Sequence, residues 1–373
     1  MNNSVELRGA LAGKLAAAAG RVSALRAFVG LDGFVDEIFH VVNTRQNAER
    51  WERLPTIAAF SERLAAAAGK STNIELVPQL TKLGGNGPIM ANALASFGLQ
   101  VSYLGALGYP KIRQVFDAFT KVADVHSIAD AGKTNALEFD DGKLMLSSTV
   151  QLNDVTWKNI ESRFGRDLFA QRFLGSELVA FVNWTMVPYM SDIWDTCLKE
   201  LMPSADAPRR TIFFDLADPQ KRTDDDIKRA LKLITRFNER FSVILGLNEK
   251  EAYEVSEAIG IPQREPSPEN LAQLARELNE RVPVDTIVVH PVAYALAASH
   301  GEVTTLTGPY IPKPKITTGA GDHFNSGFCL GKLLGFDNSD AVLTGVSTSG
   351  FYVKNAQSPG VADLVSFLND WPA

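Results

Sequence analysis

Four residues set the chemistry open to this sequence: Gly319, Ala320, Gly321 and Asp322, within Thr317-Thr318-Gly319-Ala320-Gly321-Asp322-His323-Phe324. Pro309, Pro312 and Pro314 keep the preceding segment out of a helix, and residues 324–334 place apolar side chains at helical spacing. The small residues therefore fall at a loop-to-helix junction. There a ligand can approach the backbone closely, and the first helical amides, lacking internal partners, attract an anion. Asp322 breaks that pattern. A carboxylate among amides suited to phosphate repels the phosphate, unless its task is to take a proton from a nucleophile beside it. An anion cradle with one fixed base is what phosphoryl transfer to a hydroxyl requires. A tight turn with Asp322 as a helix cap is the competing reading of the same four letters.

Two further carboxylates stand where open α/β sheets bind ligands. Residues 27–30 read as a buried strand running into Leu31-Asp32-Gly33-Phe34-Val35-Asp36, so Asp32 and Asp36 lie at a strand end entering a glycine turn. A carboxylate there can accept two hydroxyls of a polyol; a solvated turn and cap competes for Asp32. The histidines (His40, His126, His290, His300 and His323) show no metal-ligand spacing, and His323 reads as packing or as a contact behind the site. Neither G-x-S-x-G nor G-x-x-x-x-G-K-[ST] occurs, which leaves serine-hydrolase and P-loop chemistry without support.

Of the 373 residues, 45% are apolar and 21% charged, ordinary for a globular protein that buries a substantial core. A net charge of −6 without a basic stripe argues against nucleic acid as a partner. Cys197 and Cys329 stand far apart with no C-x-x-C neighbour, which points to free buried thiols in a reducing cytoplasm. No uncharged apolar run approaches about 18 residues, so no membrane span is expected. The Ala-rich opening, interrupted by Lys14, reads as an amphipathic helix rather than a signal peptide.

The elements that must position these groups alternate along the chain. Helices are predicted over 4–24 and 57–68 and after Gly84-Gly85-Asn86, with strands near 73–77 and 101–105. Residues 134–152 read as a hairpin turned at Asp141-Gly142. From Leu178 onward, strands near 178–183, 211–215, 242–246, 286–290 and 303–305 alternate with amphipathic helices. That rhythm predicts an α/β fold with a parallel sheet covered on both faces.

Thr-Thr-Gly-Ala-Gly-Asp-x-Phe-x-x-Gly-Phe over 317–328 resembles the second signature of the ribokinase-like (PfkB) carbohydrate kinases. Gly84-Gly85 ahead of an Ala-rich helix resembles the first signature, and Asn248-Glu-Lys-Glu251 the family's Asn-x-x-Glu. These matches fall in the expected order across 27–365. The resemblance implies one domain over 1–373, with a three-layer α/β/α ribokinase-like core and a small β-sheet lid drawn from roughly 36–83 and 134–152. The implied activity is transfer of the ATP γ-phosphate to a hydroxyl of a sugar or related polyol. Asp322 would be the general base and the amides of Gly319, Ala320 and Gly321 the charge-stabilising donors. Asp32, Asp36, Gly84, Gly85 and Asn86 would meet the acceptor. Asn248, Thr318 and Asn355 would meet the nucleotide, and Glu251 would hold Mg2+ through water. The lid would expel water from the reaction, and the family also includes homodimers joined through it.

Three positions depart from the family pattern. Ile89 replaces the usual asparagine of the first signature, Pro291 and Tyr294 replace a glycine pair bordering the nucleotide, and Ile316 replaces an aspartate that in some members helps bind a monovalent cation. Potassium activation through residue 316 is therefore not expected. Two other readings stay open. One is a nucleoside kinase, with Phe34 or Phe39 stacking on the base. The other is a catalytically degenerate ligand-binding relative, suggested by the three substituted positions and opposed by Asp322.

Overall fold

The computed structural model describes residues 3–372. Its central sheet has nine strands in the order Glu302–Thr307, Tyr294–Ser299, Thr286–Val289, Phe241–Leu247, Arg210–Asp215, Leu178–Phe181, Arg26–Gly30, Gln100–Ala106 and Asp124–Ala129. Seven of these, from Thr286–Val289 to Asp124–Ala129, run parallel; Tyr294–Ser299 pairs antiparallel with both Thr286–Val289 and Glu302–Thr307 at that edge. Helices cover both faces because both faces are apolar. In Arg26–Gly30, Phe28 enters one core with Phe169, Val179 and Trp194, while Ala27 and Val29 enter the other with Leu94, Phe324 and Phe328. The three-layer α/β/α arrangement follows from that alternation.

A second sheet of five strands is organised around Phe34–Arg45, which leaves the central strand Arg26–Gly30 after a three-residue turn. Leu76–Gly84 and Trp51–Arg53 pair with it antiparallel, Gly132–Phe139 pairs parallel, and Gly142–Ser148 completes the hairpin. Helix Ile57–Ala66 packs its Phe60 into a small separate core with Val41, Leu54, Leu137 and Phe139.

Two sequence expectations are corrected here. The strand expected near 73–77 lies at Leu76–Gly84, where Pro78, Gln79, Thr81 and Lys82 give no alternating pattern because most of its side chains meet solvent. Tyr294–Ser299, not anticipated, pairs between Thr286–Val289 and Glu302–Thr307 and makes that edge of the sheet antiparallel.

The helix after the Gly-Ala-Gly-Asp turn, Ala320–Leu333, is almost wholly buried. Small residues bring it against helix Asn338–Asn355: a Cβ on Gly327 would lie 2.2 Å from Thr348 Oγ1, and one on Gly331 2.8 Å from Ala341 Cα. On its other side helix Asn86–Phe97 packs close enough for Ser326 Oγ to reach Met90 O at 3.3 Å. The turn is thus held by a rigid three-helix contact rather than by a free loop.

Candidate active site

Each strand of the parallel sheet that borders the cleft ends in a polar residue: Asp32, Asn183, Asp215, Asn248 and His290 follow consecutive strands across the carboxyl edge. That edge is where open α/β sheets bind ligands. A cleft of about 670 Å³ opens there, floored by Asn183, Asp215, Asn248, Glu251, His290 and the turn at Thr318–Asp322, and roofed by Phe34, Asp36, Thr134, Met145 and Ser147 of the second sheet. Asn183, Ala217 and Asp218 adopt left-handed backbone conformations (φ 60°, 54° and 63°), and all three line this cleft. Such strain clusters where the surroundings over-determine a site.

At one end lies the turn. Gly319 sits at φ +93°, a conformation that favours glycine. The amides of Gly319 and Gly321 find no acceptor among the described residues, and both residues line the cleft. Two unbonded donors at the positive end of a 14-residue helix have the polarity that attracts an anion. Asp322 opens into the same space, 8% exposed, and its Oδ1 accepts a 2.9 Å bond from Asn86 Nδ2. Burial raises its carboxyl well above the usual aspartate range; the charges of Asp32 and Glu251 push the same way, while the Asn86 bond opposes them. His290 packs on Phe324 with ring centroids 4.9 Å apart, and its Cε1 lies 3.0 Å from where a Gly321 Cβ would stand. Burial lowers its imidazole to about 4, so it is neutral near pH 7.

The other end is built from side chains of the second sheet. Lys82, Asp36, Thr134 and Ser147 occupy one continuous cross-strand row, and Thr134 Oγ1 lies 3.2 Å from Ser147 Oγ. Asp36, Thr134 and Ser147 line the cleft. Burial raises the Asp36 carboxyl, and the nearby Lys82 charge holds it down.

Asp32 plays a different part from the one expected of it. It is 0% exposed and does not reach the cleft. Its Oδ2 accepts from Asn86 N at 3.0 Å and Asn183 Nδ2 at 2.6 Å, and its Oδ1 from Gly87 N at 2.9 Å. Gly85 has no side chain with which to cap helix Asn86–Phe97, so Asp32 caps it from another segment. Burial raises this carboxyl to about 6 in spite of those donors. The glycines of the first signature serve the same packing. A Cβ on Gly84 would lie 2.3 Å from the Asp36 carboxylate, and one on Gly85 2.9 Å from Asp32 Oδ2.

Asn248 caps helix Glu249–Ala258 in a reciprocal capping box with Glu251. Glu251 is 5% exposed; Asn248 N and Asp218 N donate to its two oxygens at 2.8 and 2.9 Å. Beside it Asp215 accepts from Asn325 Nδ2 at 3.0 Å on one oxygen, while its other oxygen is buried without a partner. Burial raises both carboxyls, and the Glu251 charge adds to the rise at Asp215. Among the described residues no three His, Cys, Asp or Glu side chains converge as a metal cluster.

Of the residues singled out from the sequence, Asp322, Gly319, Gly321, Thr318, Asp36, Gly85, Asn86, Asn248 and Glu251 share this cleft. Four do not. Asp32 is sealed beneath it; Gly84 faces Asp36; the Ala320 amide is spent on Thr317 O at 3.1 Å; and Asn355 closes its own helix by donating to Phe351 O at 3.1 Å. Tyr294 packs against the core and stays outside the cleft, and Phe39 packs in the small core of the second sheet, whereas Phe34 lines the roof. Sequence reasoning passed over His290, Thr134 and Ser147. The lack of metal spacing hid the first; no local pattern marks the other two.

The sequence model of the prokaryotic ketohexokinase family matches residues 10–371. The chain belongs to that family. A ketohexokinase from Haloferax volcanii is 28% identical over 353 residues, covering 94% of this chain and 92% of the relative. Solved folds agree with the family. Arabidopsis thaliana ribokinase, solved with ribose and ATP, superimposes with a TM-score of 0.64 at 15% identity over 92% of this chain and 98% of its own. Cryptococcus neoformans ribokinase, solved with ADP, gives 0.63 at 19% identity over 92% and 98%. This member of the ketohexokinase family thus has the ribokinase-like fold and is a PfkB-type ATP-dependent sugar kinase.

Proposed function

We propose that the chain transfers the γ-phosphate of ATP to a hydroxyl of a ketohexose, with Asp322 as the general base. One observation carries the reading: a buried carboxyl stands beside two unbonded main-chain amides, in a cleft whose opposite wall is a row of polar side chains, Asp36, Thr134 and Ser147. In the ionised form Asp322 takes the proton as the sugar oxygen attacks, and its raised affinity for protons makes it a stronger base than a solvated aspartate. Asn86 holds one of its oxygens and leaves the other for the acceptor. The Gly319 and Gly321 amides stabilise charge on the transferring group. Asp36, Thr134 and Ser147 orient the acceptor hydroxyls. The second sheet acts as a lid whose Met145 and Phe34 help keep water out.

Thr318 and Asn248 border the nucleotide side. The residues there suit Mg2+: the unpartnered Asp215 oxygen and the Glu251 carboxylate are hard oxygen donors, and this ion needs few protein carboxylates beside phosphate and water. When bound it would neutralise phosphate charge.

A coupled ADP-release assay across ketohexoses, aldohexoses, pentoses, polyols and nucleosides, with and without magnesium, tests the proposal. A ketohexose should give the highest kcat/KM, about 10-fold or more above the aldohexoses. Preference for a nucleoside would overturn it. So would ligand-induced thermal shifts without ADP release.

A further inference from the structure

Behind the Gly319 turn, on the side away from the cleft, two aromatic side chains grip its carbonyls. Tyr352 Oη donates to Thr318 O at 2.9 Å, and His323 Nδ1 lies 2.7 Å from Gly319 O. The rings stack, with centroids 3.5 Å apart and planes 13° from parallel. A carbonyl only accepts, so His323 carries its proton on Nδ1 and its Nε2 is an acceptor. Ser358 Oγ, 2.9 Å from that Nε2, is then the donor. Asn92 Nδ2 approaches Ser358 Oγ at 3.4 Å, and Ser96 Oγ donates to Ser358 O at 3.0 Å. His323 is 2% exposed, and burial lowers its imidazole to about 4, which keeps this donor order intact near pH 7.

The geometry of a peptide unit makes these contacts consequential. The C=O and N–H of one trans peptide point in opposite directions in one plane. The Thr318 carbonyl that Tyr352 holds from behind belongs to the same unit as the Gly319 N–H, one of the two free amides facing the cleft. Fixing the oxygen therefore aims the donor, and a hydrogen bond at the oxygen polarises the unit and strengthens that N–H. Gly319 needs such a brace, because its left-handed backbone has glycine's freedom to turn away.

We propose that Tyr352 is a positioning residue that aims and strengthens the Gly319 amide, and that His323, stacked on the Tyr352 ring and backed by Ser358, holds Tyr352 in place. The proposal rests on the sugar-kinase reading of that turn. The brace reaches the acceptor side too: Asn92, which backs Ser358, and Asn86, which holds Asp322, belong to one helix, Asn86–Phe97. One rigid element thereby sets the base and the anion site relative to each other.

The test compares Tyr352→Phe, His323→Leu and His323→Asn with wild type in steady-state kinetics and thermal unfolding. Tyr352→Phe removes only the donor and keeps the ring stack. It should lower kcat about 10-fold, with the sugar KM within about threefold of wild type and Tm nearly unchanged. His323→Leu, which acts through the Tyr352 ring, should lose up to about 10-fold in kcat. His323→Asn should recover part of that loss, since its amide nitrogen can stand where Nδ1 stood. Wild-type kcat in Tyr352→Phe would overturn the proposal. So would losses that track Tm, with Asn no better than Leu at 323. Failure of the sugar-kinase reading shows separately, as a wild-type protein that releases no ADP with any sugar.

Discussion

The two ends of the cleft are made of different material. The end proposed to take the phosphate is main chain: two unbonded amides and the Asp322 carboxyl within four consecutive residues, with His323 and Tyr352 packed behind them. The end proposed to take the acceptor is side chain: one residue from each of several strands of the second sheet, brought into a row by register alone. Phosphoryl transfer explains the division. The transferring group presents the same charge to every kinase of this fold, so a fixed backbone cradle serves it. Sugars differ in the placement of their hydroxyls, and side chains on a separate sheet can be changed without disturbing that cradle.

Changes at the phosphate end should therefore act on kcat, and changes at the acceptor end on KM. The largest effect is expected for Asp322→Asn: a loss of about 10²–10⁴-fold in kcat, with stability kept or improved because a buried carboxyl is removed. Near-normal turnover would remove Asp322 as the base. Gly319→Ala comes next. Its methyl would meet Ile89 Cγ2 at 3.2 Å and Tyr352 Oη at 3.3 Å at a φ of +93°, turning the amide from its aim. About 10²-fold in kcat should be lost. A pure KM effect would place that amide outside the transition state.

At the other end, Asp36→Asn should raise the sugar KM about 10-fold and leave kcat within a few-fold, as initial rates across sugar concentration will show. A kcat loss as large as that of Asp322→Asn would dissolve the distinction between the ends.

Asp32 sharpens the comparison because it belongs to neither. Its carboxyl is raised from the usual 3.8 to about 6. The folded protein thus holds this proton more tightly than the unfolded chain does. The resulting stabilisation is full below pH 4 and fades as pH rises through 6, a change of about 3 kcal/mol at most. Denaturant melts of wild type and Asp32→Asn between pH 4 and 7 should converge or diverge by that amount; parallel curves would contradict the shift. The smallest effect is expected for Asn355→Ala, whose kcat and both KM values should stay within about twofold of wild type, since its amide only closes its own helix.

Much of this was legible beforehand, for particular reasons. Gly319 announces itself because a left-handed turn favours glycine, Gly321 because a small residue opens the first helical turn, and Asp322 because a carboxylate is out of place there. Gly84 and Gly85 were equally visible, but their purpose was not. They make room for Asp36 and Asp32, which only the fold places against them. Asp32 read as a ligand because a strand-end carboxylate looks the same in sequence whether it faces a cleft or caps a helix 54 residues away. Thr134 and Ser147 carried no local signal, and His323 showed its role only once Gly319 O and Ser358 were beside it.

The sequence by itself determined the layered α/β fold and the glycine turn with its carboxylate, because periodicity and backbone demands are local and leave their mark residue by residue. Tertiary structure decided which carboxylates meet solvent, which hydroxyls form the acceptor wall and what braces the turn. Those depend on strand register and on contacts between distant segments, where burial, not residue type, assigns the role.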